Sequence, residues 1–334
     1  MISRRKFIKS CIAAPLVIQN PILKSAQVNT VTGKIDANSL GATLIHEHIL
    51  VDFIGADKIK PDRWKHEDVI AKVLPYLLEI KSRGITSFME CTPAFLGRDV
   101  VLLKKLSELS GLKIITNTGY YGASDNKFLP KQAFQETAEE LSERWIGEFA
   151  NGIDGTLIKP GFIKIGVNPG PLSDLHKKLV KAAALTHLKT GLTICSHTGP
   201  ALPAFEELAI LKLNGVAPDA FVWVHANGTD ADFVKIGKTG AWISLDGISN
   251  ESLAKNADTI RMLKSNGLLN RVLISHDAGW YRPGELNGGE FRGYTTIPDK
   301  FLPLLKSQNI TTAEIKQLLV GNPAQAFGIK IRKA

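Results

Sequence analysis

From Gly41 onward, short β-prone apolar runs alternate with longer stretches of helical periodicity, eight such runs can be counted, and glycines punctuate the turns before them. These three observations predict an α/β fold in which eight parallel strands, linked by helices, close into a (β/α)8 barrel.

The strands are read at Ala42–His46, Ser87–Cys91, Lys113–Thr118, Phe162–Gly166, Thr193–His197, Phe221–His225, Ala241–Leu245 and Val272–Asp277. Between them, Val69, Ile70, Val73, Leu74, Leu77 and Leu78 repeat at helical spacing over Glu67–Lys81, with a kink expected at Pro75. Pro203–Leu213 and Ala313–Leu319 repeat the theme. Gly84, Gly111, Gly191, Gly215, Gly240 and Gly267 stand where a helix needs a left-handed cap before the chain re-enters the sheet. A doubly wound open sheet is the alternative, but no G-x-G-x-x-G follows the first strand, and eight strands favour closure. The length of 334 residues suits one TIM barrel, and residues 27–334 are read as a single domain.

Ahead of that domain, Ser3-Arg4-Arg5-Lys6-Phe7-Ile8-Lys9 and the apolar run Cys11–Ile18 resemble a bacterial twin-arginine (Tat) export signal. Residues 1–26 are therefore set apart, and a periplasmic destination is expected. The competing reading is a basic tail that stays in place, because Pro15 and Pro21 break the run. The net charge of +9 points to nucleic acid only until it is located: five basic residues and no acidic one fall in the first 26, leaving 36 basic against 32 acidic. That mild excess, without runs of like charge, argues against a nucleic-acid partner. No apolar run approaches 18 residues, so no membrane-spanning helix is expected. Cys91 and Cys195 would lie on non-adjacent strands and are read as free thiols; no C-x-x-C occurs.

The polar residues carry the functional information, because nearly every expected strand ends in a side chain that can bind a metal, at the edge where barrels keep their sites. His46 and His48 point the same way by strand alternation, with Glu47 on the other face. Lys164 lies within strand four, His197 ends strand five, His225 strand six and Asp277 strand eight. One such histidine would be read as structural. Four histidines, a lysine and an aspartate converging on one mouth suit divalent ions, since buried ionisable groups are costly unless paired or coordinated.

The ordered set His46-Glu47-His48, Lys164, His197, His225 and Ser275-His276-Asp277 resembles the binuclear signature of the phosphotriesterase family within the amidohydrolase superfamily. The likeness runs from about Gly41 to Phe327, with Gly41-Ala42-Thr43-Leu44-Ile45, Gly97-Arg98-Asp99, Thr118-Gly119-Tyr120-Tyr121 and Asn322-Pro323-Ala324 in support. The resemblance implies that His46, His48 and Asp277 hold one divalent ion and His197 and His225 another, with Lys164 bridging both as an N6-carboxylated lysine formed with carbon dioxide. It implies zinc first, with manganese, cobalt or iron as alternatives, and homodimers are common in the family. A metal-bridging hydroxide would attack a lactone or carboxylic ester, with phosphotriester turnover as a side activity and Asp277 relaying the proton. Tyr121 aligns with a tyrosine that polarises the substrate carbonyl in the lactonase branch; the competing reading is a packing residue.

His66, His176, His187 and His276 are expected to be structural, and Glu90, Cys91 and Cys195 to sit in the core or behind the site. The segment Gly279–Tyr294, with Trp280, Tyr281, Arg282, Phe291 and Arg292, reads as a substrate-contacting lid, its arginines either meeting an anionic group or simply solvated. No G-x-S-x-G elbow supports a serine hydrolase. The rival to a hydrolase is an inactive, metal-containing periplasmic binding protein on the same barrel.

Overall fold

The computed structural model describes residues 26–334, so the expected export segment lies outside the described residues but for Ala26. A short antiparallel hairpin opens the fold, β1 (Gln27–Thr30) against β2 (Gly33–Asp36), which periodicity did not anticipate because each strand has only four residues. The parallel strands follow as β3 (Thr43–Glu47), β4 (Ser87–Glu90), β5 (Lys113–Ile115), β6 (Asn117–Thr118), β7 (Phe162–Gly166), β8 (Thr193–His197), β9 (Phe221–Val224), β10 (Trp242–Leu245) and β11 (Val272–Ile274). β5 and β6 are halves of the expected third strand; the first pairs with β4 and the second with β7, so the ring passes through the break at Thr116. The ring closes between β11 and β3, where the Asp277 amide donates to the His46 carbonyl (3.1 Å) and the His48 amide to that of Ala278 (2.9 Å). This is the TIM barrel that the strand count predicts.

Alternation sorts the side chains. Phe162 and Lys164 point into the barrel, whereas Ile163 and Ile165 pack outward under the helices. The interior is filled by Met89, Ile115, Phe162, Val222, Val224, Trp242 and Leu273, and Phe327 packs on Phe162 at the N-terminal end. In β3 the register slips between Leu44 and Glu47, so Ile45 fills the barrel interior while His46 still reaches its mouth. Such irregularities re-aim side chains beside sites.

Four strand ends differ from expectation: β3 reaches Glu47, β4 stops at Glu90, and two others fall short of a candidate site residue. His225 and Asp277 stand just beyond β9 and β11, because both adopt left-handed backbone, with φ of 55° and 52°. For His225 this is what turns the ring inward: Phe221 and Trp223, its partners in alternation, pack outward. The helices agree better. Glu67–Lys81 lies in a helix over His66–Ser82 that continues through Pro75, the second theme is Ala201–Leu213, and the third is Thr312–Lys316 followed by a π-helical turn at Gln317–Gly321. All six expected capping glycines have φ between 67° and 101°.

Two buried contacts hold the site's framework. Gly279 has φ of 104°, and a Cβ there would stand 1.8 Å from the His48 carbonyl oxygen and 2.5 Å from the Tyr294 hydroxyl. Gly279→Ala should therefore lower unfolding free energy by roughly 3 kcal/mol in urea titrations; a loss below about 0.5 kcal/mol would contradict the packing. Glu207, buried on the helix Ala201–Leu213, accepts hydrogen bonds from the hydroxyls of Ser196 and Thr198, which flank His197. Burial pushes its carboxyl up to about 7 from 4.5, against the downward pull of the two hydroxyls. A raised folded pKa contributes stability that is present below the unfolded value and lost as pH rises through the folded one. Glu207→Gln should then match the parent near pH 4.5 and become relatively more stable up to neutral pH, by about 3 kcal/mol at most. A difference that does not change with pH would refute the assignment.

Candidate metal centre

The strand ends bring His46, His48, Lys164, His197, His225, Asp277 and Tyr121 around one cavity of about 120 Å³, with Cys91 and Trp280 also in its wall. A larger cavity, about 510 Å³, opens beside Trp64, Phe95 and Arg98, but none of these ionisable groups reaches it. The smaller one is the candidate site, since its lining carries the chemistry.

Each imidazole is held by its Nδ1 edge. His48 Nδ1 meets the Thr92 hydroxyl at 2.8 Å, His225 Nδ1 meets Asp246 Oδ1 at 2.7 Å, and His197 Nδ1 meets the Tyr121 hydroxyl at 3.2 Å. His46 Nδ1 lies 3.2 Å from Asp246 Oδ2, although off the line of a hydrogen bond. The Nε2 atoms are what remain for the cavity: His46 Nε2 is 3.5 Å from Lys164 Nζ, and His48 Nε2 is 3.2 Å from Asp277 Oδ1. Neighbouring rings are 5.4 Å apart for His46 and His48, 4.9 Å for His46 and His225, and 4.3 Å for His197 and His225.

Charge states follow from burial. Burial, then the Lys164 cation, push His46 down to about 3 despite Asp246, and burial, then His225, hold His197 well below the usual histidine range. Both are therefore neutral, the form that binds metals. His225 runs the other way, because Asp246 outweighs the effect of its burial. Burial alone would raise Asp277, yet the His48 hydrogen bond and the surrounding imidazoles hold it well below the usual carboxylate range. Lys164 is 1% exposed, and His46 Nε2 is its one hydrogen-bonding neighbour among the described residues. Among the described residues no carboxylate lies within hydrogen-bonding distance of its Nζ. Neutral imidazoles, ionised carboxylates and this amine fit divalent ions.

Among the described residues, two groups have ligand atoms close enough for one ion: His46, His48 and Asp277, and His46, His225 and Asp246. The first is one of the expected sets. The second brings in Asp246, which the sequence reading passed over even though it follows β10 directly. Because Asp246 binds Nδ1 edges, it orients rings in the manner of an outer-shell carboxylate rather than facing the cavity. Its signal was available: an aspartate directly after a strand, as His48 and His225 are.

Other expectations sort plainly. His66 pairs with Asp99, His176 with the Gly122 carbonyl and Asn126, and His187 with the Leu192 carbonyl, so these three are structural. His276 faces away from the cavity: its Nε2 accepts from the Ile297 amide and its Nδ1 donates to Glu47. Of the expected lid, only Trp280 lines the cavity; Phe291 and Tyr294 pack into the core against Tyr76 and Phe88. Arg292 donates to the carbonyls of His276, Asp277 and Ile248, and Arg282 pairs with Glu285, so neither lines the cavity.

Comparison with known proteins agrees with this arrangement. The model of the phosphotriesterase family matches residues 26–327. The chain is 30% identical to the phosphotriesterase homology protein of Escherichia coli (strain K12), over 86% of this chain and 98% of that one. It is 27% identical to the aryldialkylphosphatase of Saccharolobus solfataricus, covering 88% and 96%. A mutant of the PTE-like lactonase of Deinococcus radiodurans superimposes with a TM-score of 0.81 at 27% identity, covering 90% of this chain and all of that one. By that matched length and identity, this chain belongs to the phosphotriesterase family.

Proposed function

We propose that this metal-dependent hydrolase opens a neutral lactone or carboxylic ester with two divalent ions, zinc by preference, and turns over phosphotriesters as a side activity. The observation that carries the reading is the cavity wall. Among the described residues lining it, Lys164 is the one basic side chain besides the histidines, and apart from these and Asp277 the wall is Val51, Phe53, Pro93, Leu96, Tyr121 and Trp280 with Cys91. With Arg282 and Arg292 engaged elsewhere, no guanidinium is offered to an anionic substrate. Relatives named as an aryldialkylphosphatase and a PTE-like lactonase support the reaction class.

His46, His48 and Asp277 would hold one ion, His197 and His225 the other, and Lys164 would bridge them. The bridge requires the neutral amine to attack carbon dioxide, forming a nitrogen–carbon bond and releasing one proton, so that an anion with two oxygens replaces the amine. When bound, such ions polarise an ester oxygen and lower the pKa of water toward about 7. Asp277, ionised by its imidazole neighbours, accepts a proton at its free oxygen. Tyr121 stays protonated because burial raises its pKa, and if His197 Nδ1–H donates to its oxygen, the phenolic proton points to the substrate carbonyl. We further infer that residues 1–26 export the protein by the Tat route to the periplasm and that residues 27–334 form one catalytic domain.

The test is metal content and hydrolysis of a γ-lactone, an aryl ester and an aryl phosphotriester by residues 27–334 and by Lys164→Ala. The parent should hold about two ions per chain and favour the lactone or ester, and the variant should lose at least about 100-fold in kcat/KM. Two ions without turnover would favour the binding-protein reading. A variant that retains both metals and activity would remove Lys164 from the site.

A further inference from the structure

Glu90 lies behind the candidate site and is not part of the proposed mechanism. Its carboxylate is buried at the end of β4 and accepts three hydrogen bonds: from the Ile49 amide at 3.1 Å, from the Thr92 amide at 3.2 Å and from the Thr92 hydroxyl at 2.5 Å. The same hydroxyl stands 2.8 Å from His48 Nδ1.

A hydroxyl has one proton to give. If Thr92 donates it to Glu90, only a lone pair faces His48, and Nδ1 must carry the imidazole proton. Nε2 is then unprotonated and aimed at the cavity. The opposite tautomer would direct the Thr92 proton to His48 and leave two oxygens in contact without a proton between them in a buried site. Asp277 pulls toward that opposite tautomer, since its Oδ1 is 3.2 Å from His48 Nε2. Asp277 is 27% exposed at its side chain, however, and solvent can replace a lost contact there, whereas Glu90 has no solvent to turn to. With both carboxylates ionised, the shorter bond within the interior outweighs the longer, wetter one.

We propose that Glu90, acting through the Thr92 hydroxyl, is a positioning residue that locks His48 in its Nδ1–H tautomer and keeps Nε2 open for a divalent ion. The inference rests on the reading of His48 as a ligand, but the tautomer can be measured without any metal. Glu90 and Thr92 straddle Cys91, whose side chain lines the cavity while Glu90 points behind it. A carboxylate two residues before a threonine on the strand beside the H-x-H segment is thus the sequence signature of the relay.

The experiment uses the full chain labelled with 15N-histidine, stripped of metal at pH 8, with the His48 signals assigned by their loss in His48→Gln. Long-range 1H–15N spectra should show the parent's His48 as the Nδ1–H form. In Thr92→Val and Glu90→Gln, the Nε2–H form that free histidine prefers should become dominant or equal, and Thr92→Ser should restore the parent spectrum. Zinc affinity, measured by chelator competition, should weaken roughly 10- to 100-fold in Thr92→Val and recover in Thr92→Ser. A parent already in the Nε2–H form, or a Thr92→Val spectrum identical to the parent's, would overturn the proposal. A tautomer change without any change in zinc affinity would uphold the relay and refute His48 as a ligand. Circular dichroism matched to the parent confirms that each variant compared is folded, and Thr92→Ser serves as the isosteric control if Glu90→Gln fails to fold.

Discussion

The candidate site depends on one carboxylate that does not enter it. Glu47 points away from the cavity and accepts four hydrogen bonds from the segment that follows β11: from the Ser275 hydroxyl at 2.6 Å, the His276 amide at 2.9 Å, the His276 ring at 2.7 Å and the Ala278 amide at 3.0 Å. The first and last strands of the barrel are joined there, where only a few backbone bonds are available. His46 and His48 stand on one side of the clamp and Asp277 on the other, so the same interaction that closes the barrel fixes the distances between three of the proposed ligands. Three of these bonds converge on Oε1 and one on Oε2, and a buried carboxylate held this way is expensive to disturb, which makes the closure rigid.

The pattern extends around the mouth. Asp246 holds the rings of His46 and His225, Glu90 reaches His48 through Thr92, and Glu207 grips the residues on either side of His197. The buried acids therefore sit behind the strand ends, and His48, His197 and His225 are anchored by hydrogen bonds at Nδ1 while His46 Nδ1 faces Asp246 at 3.2 Å. An arrangement of this kind pre-sets tautomer and direction, so that ions entering the site need not organise it. Lys164 is the exception. Among the described residues no acid stands within hydrogen-bonding distance of it.

Much of this was legible in the sequence. Eight strands, the positions of the capping glycines, the helices over Glu67–Lys81 and Pro203–Leu213, and the convergence of His46, His48, Lys164, His197, His225 and Asp277 all follow from periodicity and from polar residues at strand ends. The remainder depended on features that have no period. The opening hairpin is too short to produce one, and the left-handed turns at His225 and Asp277 are set by tertiary packing. Arg292 looked available to a substrate because a loop residue's partners, here the carbonyls of His276, Asp277 and Ile248, are invisible from its neighbours in the chain. Asp246 could have been found by asking of β10 the question already asked of the other strands.

Whether Lys164 joins two ions is read most directly from a crystal structure of zinc-loaded protein with anomalous data collected at the zinc edge. The account predicts two anomalous peaks within the cavity, one beside His46, His48 and Asp277 and one beside His197 and His225, with continuous density extending from Lys164 Nζ between them. A single peak, or a lysine side chain that ends at Nζ with both ions present, would contradict it.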